Sequence, residues 1–430
     1  MTALIPEPAG PTGPTIPAGS TAPTAASAPV PIPDSGPAPA SIPAPTPDSG
    51  RDSGPAAAPA AGSGVVAEPA LRVSALELFF DLVFVFTITQ LTGSLAHHLT
   101  VGGMVQVLVM LAVIWWMYDA FIWLTNAMPP STHGRRGTLL LGMAAFLVVS
   151  LAVPHAFEGS GAAFGWAYLV IVAVHTGMFA AAGVAVASVL RMGGLNLVNT
   201  GLVVTGGYLS GNAQLAFWLA AFALQFAIPR LVDLPRFQLR ADHFVERHGL
   251  IVIIAFGESV IAIGVGAGDA ELSAPLIATA LLTLAVCVGL WWAYFGHDDD
   301  TRAEHHMAGL SDARRNQLAV SVYNLGHYGL LLGVLLFAAG VKSAVAHPGD
   351  PVTSAQAAAL AAGVALFLAA NAAVRRTFGL TPLLPRLVAA AALVLTVPLG
   401  TGVSALAQVA ATAAVLAAAF GHEEWTVRAR

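Results

Sequence analysis

The chain has 430 residues, of which 57% are hydrophobic and 10% charged, with a formal net charge of −5. An ordinary soluble domain carries about a quarter charged residues, so this composition excludes a water-facing globule. The mean hydropathy is +0.76. Apolar residues recur in blocks of roughly 18–25, the length of a bilayer-spanning helix, and not in the short alternating segments of a membrane barrel. The expected fold is therefore an all-α polytopic membrane protein. The single cysteine, Cys287, rules out an intrachain disulfide or a thiolate metal cluster and reads as a small packing residue.

Residues 1–70 form a separate regime of Pro, Ala, Gly, Ser and Thr, as in "PAPASIPAPTPDSGRDSGPAAAPAAGSG". Too little bulky apolar surface is present to offset ordering entropy, so this segment reads as a disordered tail. It lacks the basic and apolar regions of a secretory signal. Twelve spans are expected after it. Six lie near 76–98, 104–126, 138–155, 164–190, 195–211 and 213–230, within a first half at 71–240. Six more lie near 249–268, 273–296, 317–341, 354–374, 383–400 and 403–421, within a second half at 241–430.

The basic residues cluster in alternate loops. Arg72 precedes the first span, Arg135 and Arg136 follow the second, and Arg191 follows the fourth. Arg230, Arg236, Arg240 and Arg247 fall between the sixth and seventh, Arg302, Arg314 and Arg315 after the eighth, and Arg375, Arg376 and Arg386 after the tenth. Only Lys342 falls on the other side. The positive-inside rule then places both termini in the cytoplasm. The halves also echo each other: "WWMYDAF" at 115–121 matches "WWAYFGH" at 291–297, and "HGRRGTLLLG" matches "DARRNQLAVS". The offset drifts from 176 (115 to 291) to 184 (191 to 375), as loop insertions would produce. Six spans per half give two parallel six-helix repeats about an axis along the membrane normal.

Few ionisable residues fall inside the spans. Glu77 and Asp81, four apart in "LELFFDLVFVF", share a helix face. Glu77 is expected at the interface, paired with Arg72, and Asp81 about 6 Å deeper. Glu258, in "GLIVIIAFGESVIAIG", maps one residue from Asp81 under the 176 offset, so the two read as near-equivalent acids close to the axis. An acid at bilayer depth costs about 2.5–3.5 kcal/mol and marks an ion or solute path by default. The competing reading is an interhelical hydrogen-bond anchor. His175 and His327 are further candidates for proton relay, or else satisfied core histidines. Trp115, Trp116 and Tyr118, like Trp291, Trp292 and Tyr294, read as an aromatic belt or as packing. The loop "GHDDDTRAEHHMAGL" offers His297, Asp298, Glu304 and His305 as weak metal ligands, though a solvated loop explains them equally well. There is no P-loop, G-x-S-x-G or H-E-x-x-H, so neither enzyme chemistry nor a cofactor is expected. Sparse basic residues give nucleic-acid binding no support.

The stretches "RVSALELFFDLVFVF" and "ERHGLIVIIAFGESVIAI", with "WWAYF" at 291–295, resemble the bacterial low temperature requirement protein A family. The resemblance runs from Arg72 to about residue 420. It implies a multi-pass protein of the bacterial cell membrane, linked by name to growth in the cold, and carries over no catalytic or binding residue. "FFDLVFVFTIT" is also similar in pattern to the F-S-D stretch on the first helix of a potassium-channel family; Phe80 and Asp81 match, but Phe79–Phe80 replaces the Phe–Ser pair. The leading expectation is a secondary transporter for a small solute or ion. The alternatives are an ion channel and a non-transporting scaffold or stress-response protein; oligomeric state stays open. Reporter fusions at Gly159, Gly211 and Gly268 should read outside, and those at Gly134 and Arg302 inside; two inverted readouts would break the topology.

Overall fold

The computed structural model describes residues 73–181, 186–231 and 239–428. The tail at 1–70 and Arg72 lie outside the described residues. Among the described residues every regular element is a helix. The first six are α1 (Ala75–His97), α2 (Val101–Ala127), α3 (His133–Ala152), α4 (Gly161–Ala181), α5 (Val186–Gly207) and α6 (Gly211–Leu231). Then come α7 (Ala241–Ala267), α8 (Ala274–Phe295) and the short α9 (Asp299–Ala308). A continuous rod follows: α10 (Asp312–Leu318), a π-helical turn (Ala319–Gly326) and α11 (His327–Ala346). The chain ends with α12 (Ser354–Thr377), α13 (Leu384–Ala392), a 3-10 turn (Leu393–Thr396), α14 (Val397–Gly402) and α15 (Ala405–Arg428).

Eleven of these segments are long and apolar enough to cross a membrane. The fifth expected span lies within α5, which is not one of the eleven. Two expectations need correction. The 296–310 loop contains a helix, α9. The seventh span starts at Ala241 and not near 249, because "ADHFVERH" has no Gly or Pro to stop a helix before Gly249.

Local chemistry sets the helix starts. Ser74 and Glu77 form a capping box on α1, and Thr353 and Gln356 form another on α12. Thr100, Thr132 and Ser273 cap α2, α3 and α8. α7 stops where Gly268 turns to a φ of 51°, a conformation costly for a residue with a Cβ.

The central helices are buried almost all round, with α2 and the α10–α11 rod having 78% of their apolar windows inside the bundle. α8 instead turns Leu281, Leu284, Val288 and Trp291 outward, as lipid contact requires. α1 is two-faced: Leu78, Phe79 and Leu82 are exposed, whereas Glu77, Phe80, Asp81 and Phe84 are buried. α11 and α12 touch backbone to backbone. A Cβ at Gly363 would fall 2.3 Å from Phe337 N, and one at Gly340 would fall 2.7 Å from Leu360 N. Small residues at such a seam let helices approach where no hydrophobic force separates protein from lipid. Gly363→Leu should therefore push α11 off α12 and cost about 1–3 kcal/mol or more. Gly177→Leu, which meets no atom within 4 Å, should be near neutral in the same thermal-unfolding assay.

Candidate functional site

The early start of α7 places charge inside the bundle. His243 and Arg247 are one helical turn apart, so they share a face, and that face lies against Glu77 and Asp81 of α1. His243 Nε2 donates to Glu77 Oε1 at 3.1 Å, and Arg247 Nη2 donates to Asp81 Oδ1 at 2.6 Å. Arg247 Nη1 lies 3.5 Å from Glu77 Oε1, and none of the four side chains is more than 2% exposed. The other Glu77 oxygen accepts from the backbone N–H and hydroxyl of Ser74. Glu77 is thus a buried member of the cluster, and its expected partner Arg72 lies outside the described residues.

The cluster continues onto α2. The Tyr118 hydroxyl donates to Asp81 Oδ1 at 2.5 Å. The next residue, Asp119, accepts from His248 Nε2 at 3.0 Å and from Asn324 Nδ2 at 2.8 Å. His248 Nδ1 donates to the Phe244 carbonyl at 2.9 Å. Both imidazole nitrogens of His248 thus face acceptor oxygens. Asn324 and Tyr323 come from the π turn, where the widened spiral re-aims side chains. The Asn324 carbonyl accepts from Trp115 Nε1 at 2.8 Å. At the edge of the cluster the Tyr294 hydroxyl donates to His327 Nε2 at 2.7 Å, and the Tyr323 ring stacks on His327.

The sequence candidates are brought together only in part. Asp81 and His327 belong to the cluster, but Glu258 does not. Its carboxylate accepts from Thr89 at 2.5 Å, eight residues up α1 from Asp81 or about 12 Å. Lys342 is close enough for its charge to act on Glu258. The contacts Glu77–His243 and Asp81–Arg247 both join residues 166 apart, the same separation as between the starts of α1 and α7. Asp81 thus faces Arg247 and not a second acid. His175 Nε2 donates to the Ala120 carbonyl at 3.2 Å, and the ring packs between Phe121 and Phe179, away from the cluster.

The aromatic belt reading also divides. Trp291 and Trp292 face outward at 41% and 36% exposure, whereas Trp115, Tyr118 and Tyr294 are buried and hydrogen-bonded inside. Trp116 borders a small gap beside Gln225 and Tyr328. The weak metal candidates diverge: His297 lies 3.1 Å from Glu424, Asp298 sits at the left-handed entry to α9, and Glu304 and His305 ride on α9. Among the described residues no three His, Cys, Asp or Glu side chains converge on a metal position.

Two arginines assigned to loops by sequence are buried as well. Arg386 makes a two-pronged bond to Glu423, with Nε at 3.1 Å and Nη2 at 3.0 Å, and also bonds Asn371 and the Ala293 carbonyl. Arg375 bonds Asp299 and lies 3.6 Å from Glu423. These contacts join α8, α9, α12, α13 and α15. The signals available for these arginines were weak: Arg375 lies in the last turn of an apolar helix, and Arg386 just after a proline.

Two cavities border the site. One of about 190 Å³ is lined by Ser74, Glu77, Arg136, His243 and the Pro129–Pro130 turn. The other, about 30 Å³, lies between Tyr294, Asp299, Tyr323, His327 and Arg375. The arrangement is suited to holding and shifting protons, because carboxylates, imidazoles, phenols and one guanidinium meet in a water-poor interior.

No solved structure matches the chain. A relative described as an uncharacterized protein, from Rhizobium meliloti (strain 1021), is 27% identical over 323 residues, covering 71% of this chain and 77% of that protein. The model of the bacterial low temperature requirement A protein (LtrA) matches residues 72–420, nearly the whole helical body just described and both of its motif-bearing helices, α1 and α7. The chain belongs to the bacterial low temperature requirement A family.

Proposed function

We propose that this chain is a proton-coupled secondary transporter for a small solute or ion, and not an enzyme. The observation that carries the reading is the Asp81–Arg247 pair, both members 0% exposed, at 2.6 Å between α1 and α7. A buried ion pair is weak evidence of stability, since apolar residues of similar volume often serve as well. Ionisable groups inside a membrane bundle mark ion paths by default. The 190 Å³ cavity beside Glu77 and His243 supplies an approach to the pair from the end of the bundle where α1 begins. In this reading that end is cytoplasmic, twelve helices span the bilayer, and the halves are parallel repeats. The inward Tyr118 and Tyr294, each bonded to an ionisable partner, support the repeat.

A second reading, a non-transporting scaffold, is favoured by one observation. The equally buried Arg386–Glu423 pair joins α13 to α15, as a scaffold would require.

A paired substitution separates the two. Asp81→Asn alone leaves Arg247 without its strongest counter-charge and should destabilise the fold by about 3–5 kcal/mol. Asp81→Asn with Arg247→Gln removes both charges and should recover most of that stability. In proteoliposomes carrying a pH-sensitive dye, the double variant should fold yet show no protonophore-sensitive flux. Wild-type-like flux from a well-folded double variant would sink the transport role of the pair.

A further inference from the structure

The smaller cavity contains two unpartnered buried groups. Asp299 Oδ1 and Arg375 Nε have no hydrogen-bond partner among the described residues. Both side chains border the cavity and are no more than 10% exposed. One of these atoms accepts a hydrogen bond and the other donates one. Water does both, and a cavity of about 30 Å³ has room for about two molecules. The charge around it is lopsided: Asp299 and Asp300 of α9 border it against Arg375 of α12, which also answers to Glu423. Glu304 of α9 acts on Tyr323 from the same side.

The opposite wall of the cavity is Tyr294 and His327. His327 Nδ1 is committed to the Val322 carbonyl at 3.2 Å, so its proton lies there. Nε2 is then the lone-pair nitrogen, and it accepts from the Tyr294 hydroxyl at 2.7 Å. Behind His327 the His248 ring stands edge-on with centroids 5.0 Å apart, and His248 is bound in turn to Asp119.

We infer that the cavity between Tyr294, Asp299, Tyr323, His327 and Arg375 is a hydrated proton-loading site, with His327 as the acceptor and Tyr294 as the relay. The step balances without a co-reactant. A hydronium in the cavity gives a proton to the Tyr294 oxygen as the phenol's own proton passes to His327 Nε2. The phenol is regenerated, the cavity returns to neutral water, and His327 becomes an imidazolium. That charge then faces His248, so proton arrival at the cavity is felt by the Asp119–His248 pair through one ring contact. The negative carboxylates of α9 attract the incoming proton, and Arg375 keeps Asp299 in place.

The inference rests on the charged core being the working site, but it is tested at equilibrium and without transport. Deuterium exchange at the imidazole C2 position needs both ring protonation and water, and mass spectrometry reads it histidine by histidine in the intact chain. Burial alone ranks His327 (0% exposed) as slower than His175 (8% exposed). The loading site requires the opposite order. His327 should exchange faster than His175, and Tyr294→Phe should speed His327 by about tenfold, the equilibrium equivalent of the one hydrogen bond that stabilises the neutral ring, with His175 unchanged. A His327 as slow as His175 in the wild-type chain overturns the hydrated cavity. An unchanged His327 rate in Tyr294→Phe overturns the relay. A chain that exchanges as expected but carries no flux in vesicles would refute transport and leave the loading site standing.

Discussion

A guanidinium without water must find acceptors from protein, and Arg247 finds them on a helix far away in sequence. Its bonds to Asp81 and its approach to Glu77 fix the height and rotation of α7 against α1. Once that register is set, His243 meets Glu77, His248 turns toward α2, and Asp119 is placed to receive it. Asn324 of the π turn then completes the coordination of Asp119 and draws the α10–α11 rod against α2. Four helices are therefore indexed to one another by a single buried cation. Apolar packing alone would not do this in a bilayer, because lipid and side chain are equally apolar and a helix loses little by sliding.

The same device appears a second time at the same end of the bundle. Arg386 and Arg375 gather Glu423, Asp299 and Asn371 from α15, α9 and α12. The two networks differ in charge. Glu423 and Asp299 are matched by two guanidiniums. Among the described residues, Glu77 and Asp81 are ion-paired with one guanidinium, Arg247, while Glu77 and Asp119 are also bonded to histidines. A matched network holds its geometry at any ordinary pH, whereas one completed by imidazole changes charge when protons move. The cavity lined by Tyr294, His327 and Arg375 lies where the two networks approach.

Composition and block length were enough to read an all-helical membrane body, and eleven of the twelve expected spans overlap elements of the structure that cross by length and apolarity. That Asp81 would be buried with a polar partner was readable for a physical reason: a carboxylate in an apolar helix is costly unless it is paired. Its partner was not readable. Arg247 lay in a stretch dense with charge, which hydropathy assigns to a loop, and only the absence of any helix breaker from Ala241 onward pointed the other way. The pairing of Asp81 with Glu258 failed for a related cause. The expectation rested on the Trp-Trp pairs of α2 and α8 and took no account of Arg247, which meets Asp81 instead. Aromatic residues near a membrane end look alike whether they anchor in lipid or bond inward. Trp291 and Tyr294 are three residues apart and do opposite things.

The spacing along α1 limits how any path through this seam can work. Asp81 with Arg247 forms one polar station, and Thr89 with Glu258 forms the next, about 12 Å further along α1. Between them Phe84, Ile88, Ile251 and Ala255 are fully buried. No charge crosses such a stretch by hydrogen bonds, and an unpaired ion there would face the full cost of desolvation. Movement between the stations therefore requires α1 and α7 to part. Parting breaks the Arg247 bonds at one end and the Thr89–Glu258 bond at the other. A charged Asp81–Arg247 pair resists that opening by about 3–5 kcal/mol, while a pair neutralised by a proton resists it far less. In the transporter proposed above, loss of charge at this pair and separation of α1 from α7 would therefore be coupled through the same two residues.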